Sequence, residues 1–492
     1  MELVQDYYAT LGVPPTASEE DLRTAYRLAA RRFHPDVNRS PGAAIIFRDI
    51  NAAYELLSNR QRRSEYDQVA HAATAPPSLR VETYYSRQFL KPMSEPQLVY
   101  ALVKITPELE VSLTSDAPMN LCLVLDRSTS MKGPRLQHLK SAVHRIIDEC
   151  RPQDHLSVVA FSDKAEVLVP AQHPTDPRMI KALVSTMRPD GATAMLQGLR
   201  EGLRQIERNR DTRYVNHVIL ITDGRTYGDE EDCLRLARDA HERGVGISGM
   251  GIGEDWNDQF LDNLASITGG SSTYIISPNM VSRFLHERIR SLSTAYAERA
   301  RLITAPATNV DLNSVMRISP NPMALAATPQ PIPLGTIDGL SPTSLMLQFH
   351  VVTQDAPLGE FYIGRADVSA EVLGSTQRAE RIVEDLSITI SEDDVDEDPP
   401  AELLDALSKL VLYRLQDRAR EAIASGNIAE GTRKLEYLAT RLFENGQEDL
   451  AQAALHEKEN VLSTHTLSDE GAKRLKYGTR ALLPLLGDGK ND

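Results

Sequence analysis

The sequence predicts a multidomain chain: an all-α N-terminal module, an α/β doubly wound domain inserted in a β-sandwich, and a C-terminal α-helical segment. Three observations predict it. Between residues 119 and 294, short apolar runs alternate with stretches of helical periodicity, the pattern of strands buried on both faces and their crossover helices. β-patterned segments flank that stretch at 79–118 and 299–391, so a single sandwich is expected to be interrupted by the α/β domain. Both ends of the chain, 1–70 and 401–486, carry apolar residues at helical spacing.

In the N-terminal module, Ser18-Glu19-Glu20-Asp21 supplies a hydroxyl cap and early acids. The helix they open runs to Phe33, with Leu22, Ala25, Tyr26, Ala29 and Phe33 inward. Arg23, Arg27 and Arg31 form one stripe on the opposite side, with Arg32 beside it. His34-Pro35-Asp36 ends the helix, because proline disfavours helical backbone in the residue before it. A second helix is expected from Pro41 to Leu57, with Phe47, Ile50, Ala53, Tyr54 and Leu57 inward, followed by a short basic helix from Arg60 to Asp67.

This layout resembles a J domain, the module that activates DnaK-type ATPases. The matching residues are Asp6-Tyr7-Tyr8, Leu11-Gly12-Val13, Tyr26, His34-Pro35-Asp36, Phe47, Ile50-Asn51, Ala53-Tyr54, Arg62-Arg63 and Tyr66-Asp67, and the resemblance spans residues 5–68. It implies that Arg23, Arg27 and Arg31 dock on an acidic groove of a DnaK-type chaperone. It also implies that His34, Pro35 and Asp36 couple docking to ATP hydrolysis by that partner. Ala43-Ala44-Ile45-Ile46 departs from the charged residues usual in J domains and is expected to touch another part of the chain. Residues 71–78 read as a short linker, and neither a Gly/Phe-rich segment nor zinc-finger cysteines follow.

In the α/β stretch, strands are expected at 120–126, 156–161, 217–222, 245–250 and 272–276 in a parallel sheet. Helices are expected at about 134–150, 176–187, 193–208, 230–243, 257–267 and 279–293. The first strand closes in Asp126-Arg127-Ser128-Thr129-Ser130, and the third in Asp223-Gly224. Gly191-Ala192-Thr193 opens a helix between them. Asp126, Ser128, Ser130, Thr193 and Asp223 therefore offer two carboxylates and three hydroxyls. A hard, oxygen-only set suits Mg2+ or Mn2+, and the carboxyl ends of parallel strands are where open α/β sheets place ligands.

The pattern resembles the metal-ion-dependent adhesion site of von Willebrand factor A domains, and the resemblance covers 119–294. It implies a bound ion with one position open to an acidic side chain of a protein ligand. An open position can also activate water, but the sequence offers no general base. His217 lies inside a strand, and His138 and His144 sit on a helix with solvent exposure as the default. No catalytic residue is therefore predicted, and the chain is not expected to be an enzyme.

Leu98–Ile105 and Glu110–Leu113 before the α/β domain, and 345–352, 360–368 and 386–390 after it, are the clearest sandwich strands. An acidic run at 392–398 followed by Pro399-Pro400 reads as a hydrated linker over 392–400 rather than a calcium site. Three helices are expected beyond it: one carrying Leu403 to Leu415, one after Gly426-Asn427, and one from Asn445-Gly446 to about Leu462.

A net charge of −15 argues against general nucleic-acid binding, which requires a basic face. Three cysteines form no disulfide framework or zinc spacing. The N-terminus has no secretory pattern and no stretch is apolar enough for a membrane span, so a cytoplasmic protein is expected. The leading expectation is a co-chaperone-like adaptor that recruits a DnaK-type ATPase and binds a protein target through its metal site. The alternative is a metal-dependent assembly scaffold without chaperone activity.

Overall fold

The computed structural model describes residues 6–71, 79–108, 117–224, 228–277, 280–373, 378–393, 395 and 397–483. Of the linker expected at 71–78, His71 ends a helix and 72–78 lie outside these residues, as does the strand expected at 110–113. The chain forms two compact units: Met1–Ala117 with Thr294–Pro320 and Ala324–Leu403, and Pro118–Ser293 with Asn321–Met323 and Leu404–Asp492.

The first unit begins with helices Tyr7–Leu11, Glu19–Phe33, Pro41–Leu57 and Arg60–His71. Ser18 and Asp21 form a reciprocal capping box, satisfying two donors that the first helical turn would otherwise leave unpaired. Ser40 caps the third helix, with Pro41 at its first position. Phe33, Leu22, Ile46, Ile50 and Leu57 are almost fully buried between them. Each such side chain contributes on the order of 1.5–3 kcal/mol relative to exposure.

The strands of this unit are β1 (Leu79–Tyr85), β2 (Phe89–Leu90), β3 (Gln97–Pro107), β10 (Ala295–Pro306), β11 (Val310–Ser319), β12 (Met323–Leu325), β13 (Ile332–Asp338), β14 (Thr343–Val351), β15 (Gly359–Val372) and β16 (Arg378–Ile390). They make two five-stranded sheets, ordered β1-β3-β14-β11-β12 and β13-β10-β15-β16-β2. β3 pairs antiparallel with β14, placing Val103 opposite Leu345. Strands on opposite sides of the α/β stretch in sequence are therefore neighbours in one sheet.

The helical module is built onto the second sheet. Ile303 and Ala305 of β10 belong to the same apolar cluster as Phe33, Ala43 and Ile46. A Cβ at Gly42 would collide with the Thr304 carbonyl, so helix and strand approach at backbone distance. Asn38 Nδ2 donates to the Pro306 carbonyl at 2.8 Å. The uncharged Ala43–Ile46 segment lies at this junction, as its departure from J-domain composition led one to expect. The acidic run corrects one expectation. It is not simply a hydrated linker, because Glu397 accepts hydrogen bonds from the backbone N–H groups of Gln88 and Phe89 beside β2.

The second unit holds β4 (Met119–Asp126), β5 (His155–Phe161), β6 (Ala165–Gln172), β7 (Val215–Thr222), β8 (Gly246–Ile252) and β9 (Ser272–Ile275), in the order β6-β5-β4-β7-β8-β9. Every residue of the central strands β4 and β7 is buried, which explains their continuous apolar composition. The helices are Pro134–Glu149, Pro177–Ser185, Met195–Glu207, Glu230–Glu242, Asp258–Ile267 and Val281–Ser293. The sheet is not wholly parallel as expected: β6 runs antiparallel to β5 at the edge. A short connection permits only a hairpin, because a parallel return needs a longer crossover.

Leu404 onward also belongs to this unit. Helices Ala401–Ala424, Ile428–Glu444 and Glu448–Thr464 are followed by a fourth, Asp469–Ala481, capped by Ser468. This last helix is additional to the three expected from the sequence. Its Tyr477 joins the α/β core, with its ring 5.7 Å from that of Trp256 and 5.9 Å from that of Tyr274.

Candidate functional site

At the carboxyl end of β4, Asp126 is fully buried. Its Oδ1 accepts from the Ser128 N–H at 2.7 Å and its Oδ2 from the Thr222 hydroxyl at 2.6 Å. These two donors fix the carboxylate's orientation. Ser128 Oγ and Ser130 Oγ lie 3.0 Å apart across a single 3-10 turn, Thr129–Met131. Ser130 Oγ donates to Asp223 Oδ1 at 2.7 Å, where β7 ends. One hydrogen-bonded chain thus joins Asp126, Ser128, Ser130 and Asp223.

Thr193 reaches this chain from a separate loop. Gly191, with φ of 71°, turns that loop, and its carbonyl accepts from both the N–H and the hydroxyl of Thr129. Asp163 accepts from the Ala192 N–H at 2.9 Å. A Cβ at Gly224 would lie 3.0 Å from Thr193 Oγ1, so the missing side chain is what lets the two loops close. Four of the five predicted residues are thus joined by hydrogen bonds, and Thr193 stands beside Gly224, the neighbour of Asp223.

Burial pushes the Asp126 carboxyl up to about 6; the bonds from Ser128 and Thr222 oppose this, and the charge of Asp223 adds to it. A buried, electron-rich cluster of this kind is stabilised by a cation. Among the described residues, no three His, Cys, Asp or Glu side chains gather as a metal-holding group. An ion here would have to share its ligands with hydroxyls, which matches the oxygen chemistry of Mg2+ or Mn2+. The residues present fit such an ion.

Two neighbours were not marked by the motif. Thr222 precedes Asp223, and its position was read only as strand. Arg135 Nη1 donates to Asp223 Oδ2 at 2.7 Å. The available signal was a cation at the start of a helix whose first turn holds no acid.

The second predicted site divides differently. Arg23, Arg27 and Arg31 are exposed along the helix Glu19–Phe33, and Pro35 and Asp36 are exposed after it. The His34 ring stands edge-on to Phe47 at 5.1 Å, and its Nδ1 accepts from the Asp36 N–H at 3.2 Å. Arg32 is drawn away from the stripe: it pairs with Asp385 at 3.0 Å and lies over the Tyr362 ring.

The comparisons agree with this architecture. The DnaJ domain family matches residues 6–67, the von Willebrand factor type A domain family matches 120–286, and the Sll0103-like C-terminal alpha-helical domain family matches 401–484. The chain therefore combines a J domain with a von Willebrand factor type A domain and a C-terminal helical domain.

A Synechocystis protein named "Uncharacterized protein sll0103" is 31% identical over 217 residues, covering 43% of this chain and 51% of that protein. The chaperone protein DnaJ of Crocosphaera subtropica is 57% identical over 67 residues, covering 14% of this chain and 18% of its own length. The chain thus spans about half of the first relative and about a fifth of the second. The solved von Willebrand factor type A structure from Catenulispora acidiphila superposes with a TM-score of 0.64 at 18% identity, covering 82% of this chain and 96% of that one. That likeness concerns the fold alone. No helix among the described residues is long and apolar enough to cross a membrane.

Proposed function

We propose that this protein is a co-chaperone-like adaptor. Its J domain recruits and stimulates a DnaK-type ATPase, and its von Willebrand A site binds a protein target with Mg2+ or Mn2+. The observation that carries the reading is the division of the J domain into two faces. One face, around Gly42, Ala43 and Ile46, is built onto β10. The other, with Arg23, Arg27, Arg31 and Asp36, stays open to solvent. A module kept only for its packing gains nothing from an exposed basic stripe beside a His-Pro-Asp loop.

In this reading the hydrolysed nucleotide belongs to the partner, and no residue of this chain is catalytic. At the other site, Asp126, Ser128, Ser130, Thr193 and Asp223 would hold the ion. The bound ion would supply a Lewis-acidic position for an aspartate or glutamate of the target. Ser128 N–H and Thr222 keep Asp126 oriented, and Ser128 and Ser130 together connect it to Asp223. Such a protein would work in the cytoplasm, in keeping with three cysteines that form no disulfide.

The scaffold alternative rests on the same junction, since a J domain so firmly attached could serve as a structural element. Asp36→Asn separates the two readings. Asp36 is exposed, so the fold should survive. Single-turnover ATP hydrolysis by DnaK is expected to lose its stimulation. Unchanged stimulation would favour the scaffold.

A further inference from the structure

Arg135 occupies an unusual place. It follows Pro134 at the start of the helix Pro134–Glu149, where the helix dipole is positive and a cation is unfavourable. The helix does not account for it; the metal-site residues do. Asp223 is fully buried, and Arg135 Nη1 lies 2.7 Å from its Oδ2 while the arginine side chain stays one-third exposed. The seat is shaped on the other side as well. Gly253, at the end of β8 with φ of 74°, faces the guanidinium, and a Cβ there would lie 2.8 Å from Arg135 Nη2. The remaining oxygens of the two carboxylates are held by neutral donors: Ser128 N–H, Thr222 and Ser130.

We infer that Arg135 is the internal counter-ion of this site: it loosens the site's hold on the divalent cation and leaves the loaded site positive, which draws in the carboxylate of an acidic target. The inference rests on the metal-site reading above. Asp126 and Asp223 carry two negative charges and Arg135 one positive, so the empty cluster has a net charge of −1. A divalent ion takes it to +1, and a carboxylate from the target then brings it to neutrality. Without the arginine the ion alone would already neutralise the cluster, and an added carboxylate would leave it negative. Arg135 therefore weakens the ion's hold on the cluster but leaves the loaded site positive, so that a carboxylate binds it more readily. By linkage, the ion favours the carboxylate by the same factor as the carboxylate favours the ion.

The test uses the full chain with Mn2+ as the ion and acetate as the carboxylate probe, at constant ionic strength with chloride as control. Mn2+ affinity is read from the ion's magnetic resonance signal. Arg135→Gln is expected to bind Mn2+ alone roughly tenfold more tightly than the wild type and to lose most of the tightening that acetate gives the wild type. Arg135→Lys, which keeps the charge, should behave like the wild type. It also serves as the reference should the glutamine variant fold poorly.

Three results would overturn the inference. The first is a folded Arg135→Gln with unchanged or weaker Mn2+ affinity. The second is an acetate effect preserved in that variant. The third is an Arg135→Lys that matches Arg135→Gln. If the wild type shows no Mn2+ binding that Asp126→Ala removes, the metal-site reading itself fails along with the inference.

Discussion

Each unit attaches a helical module to a sheet domain through a buried ionic seam, and the two seams differ in how many cations pair with their most buried acid. In the first unit, Arg381 serves two acids, and one of them, Asp49, also meets Arg48 at 3.3 Å. Arg381 pairs with Asp49 of the J domain at 3.1 Å and with Asp367 of β15. In the second, three cations surround two acids. Asp258 meets Arg420 at 3.0 Å and Lys476 at 2.6 Å, and Asp262 meets Lys476 and Arg480, each at 2.7 Å. Burial pushes the Asp367 carboxyl up despite Arg381. Burial also opposes ionisation of Asp258, yet the bond from Arg420 and the charge of Lys476 hold it down at about 2. Asp262 is likewise held well below the usual range, by Arg480 and Lys476 against burial. Burial opposes ionisation of both Asp367 and Asp262, and the second cation on Asp262 is what sets them apart.

The largest expected effect follows from the pairing of the buried Asp367 with Arg381. Arg381→Ala takes its ion-pair partner from the buried Asp367, while Asp49 keeps Arg48 at 3.3 Å. Breaking a buried pair in this way costs about 3–5 kcal/mol, to be read from chemical denaturation. Lys476→Ala should cost less, about 1–3 kcal/mol, because Arg420 and Arg480 remain. Equal losses would dissolve the contrast between the seams.

A steric break should cost about as much as the Lys476 substitution. Gly42→Ala drives a methyl group into the Thr304 carbonyl, and overpacking of this kind costs about 1–3 kcal/mol. Stimulation of DnaK should survive, because the exposed stripe is untouched. Lost stimulation in a folded variant would mean that the junction itself takes part in docking.

The pH dependence sharpens the comparison further. Asp262 has a folded-state pKa below the unfolded value of about 3.9, so its ionisation stabilises the fold above that value. The contribution fades as pH falls toward the lower folded-state pKa. The stability gap between wild type and Asp262→Asn should therefore be full at neutral pH and shrink below about pH 4. A gap independent of pH would show that the carboxylate's charge is not what the cations recognise.

Much of the site could be read from the sequence because its residues lie on strands with unambiguous patterns. Leu121–Leu125 and His217–Thr222 fix two strand ends, and Asp126 and Asp223 fall there by register. The seams could not be read in the same way. Arg381, Lys476 and Arg480 are long cations on amphipathic elements, where a solvated face is the ordinary expectation. Only the fold brings them to acids more than a hundred residues away, except that Asp367 is a β15–β16 neighbour of Arg381. The edge strand β6 was missed for a related reason, since it is mostly half-exposed and lacks the apolar run that marked its neighbours.

The central claim is that Asp126, Ser128, Ser130, Thr193 and Asp223 hold an ion on which target binding depends. The most direct measurement is thermal melting of wild type and Asp126→Ala with and without Mg2+, paired with capture of the same target under each condition. A ligand bound only to the folded state stabilises it by about 2.7 kcal/mol at a hundredfold excess over Kd. The wild type should melt higher with Mg2+ and retain its target only then, and the variant should do neither. A variant that still melts higher with Mg2+, or one that loses that shift but keeps its target, would contradict the account.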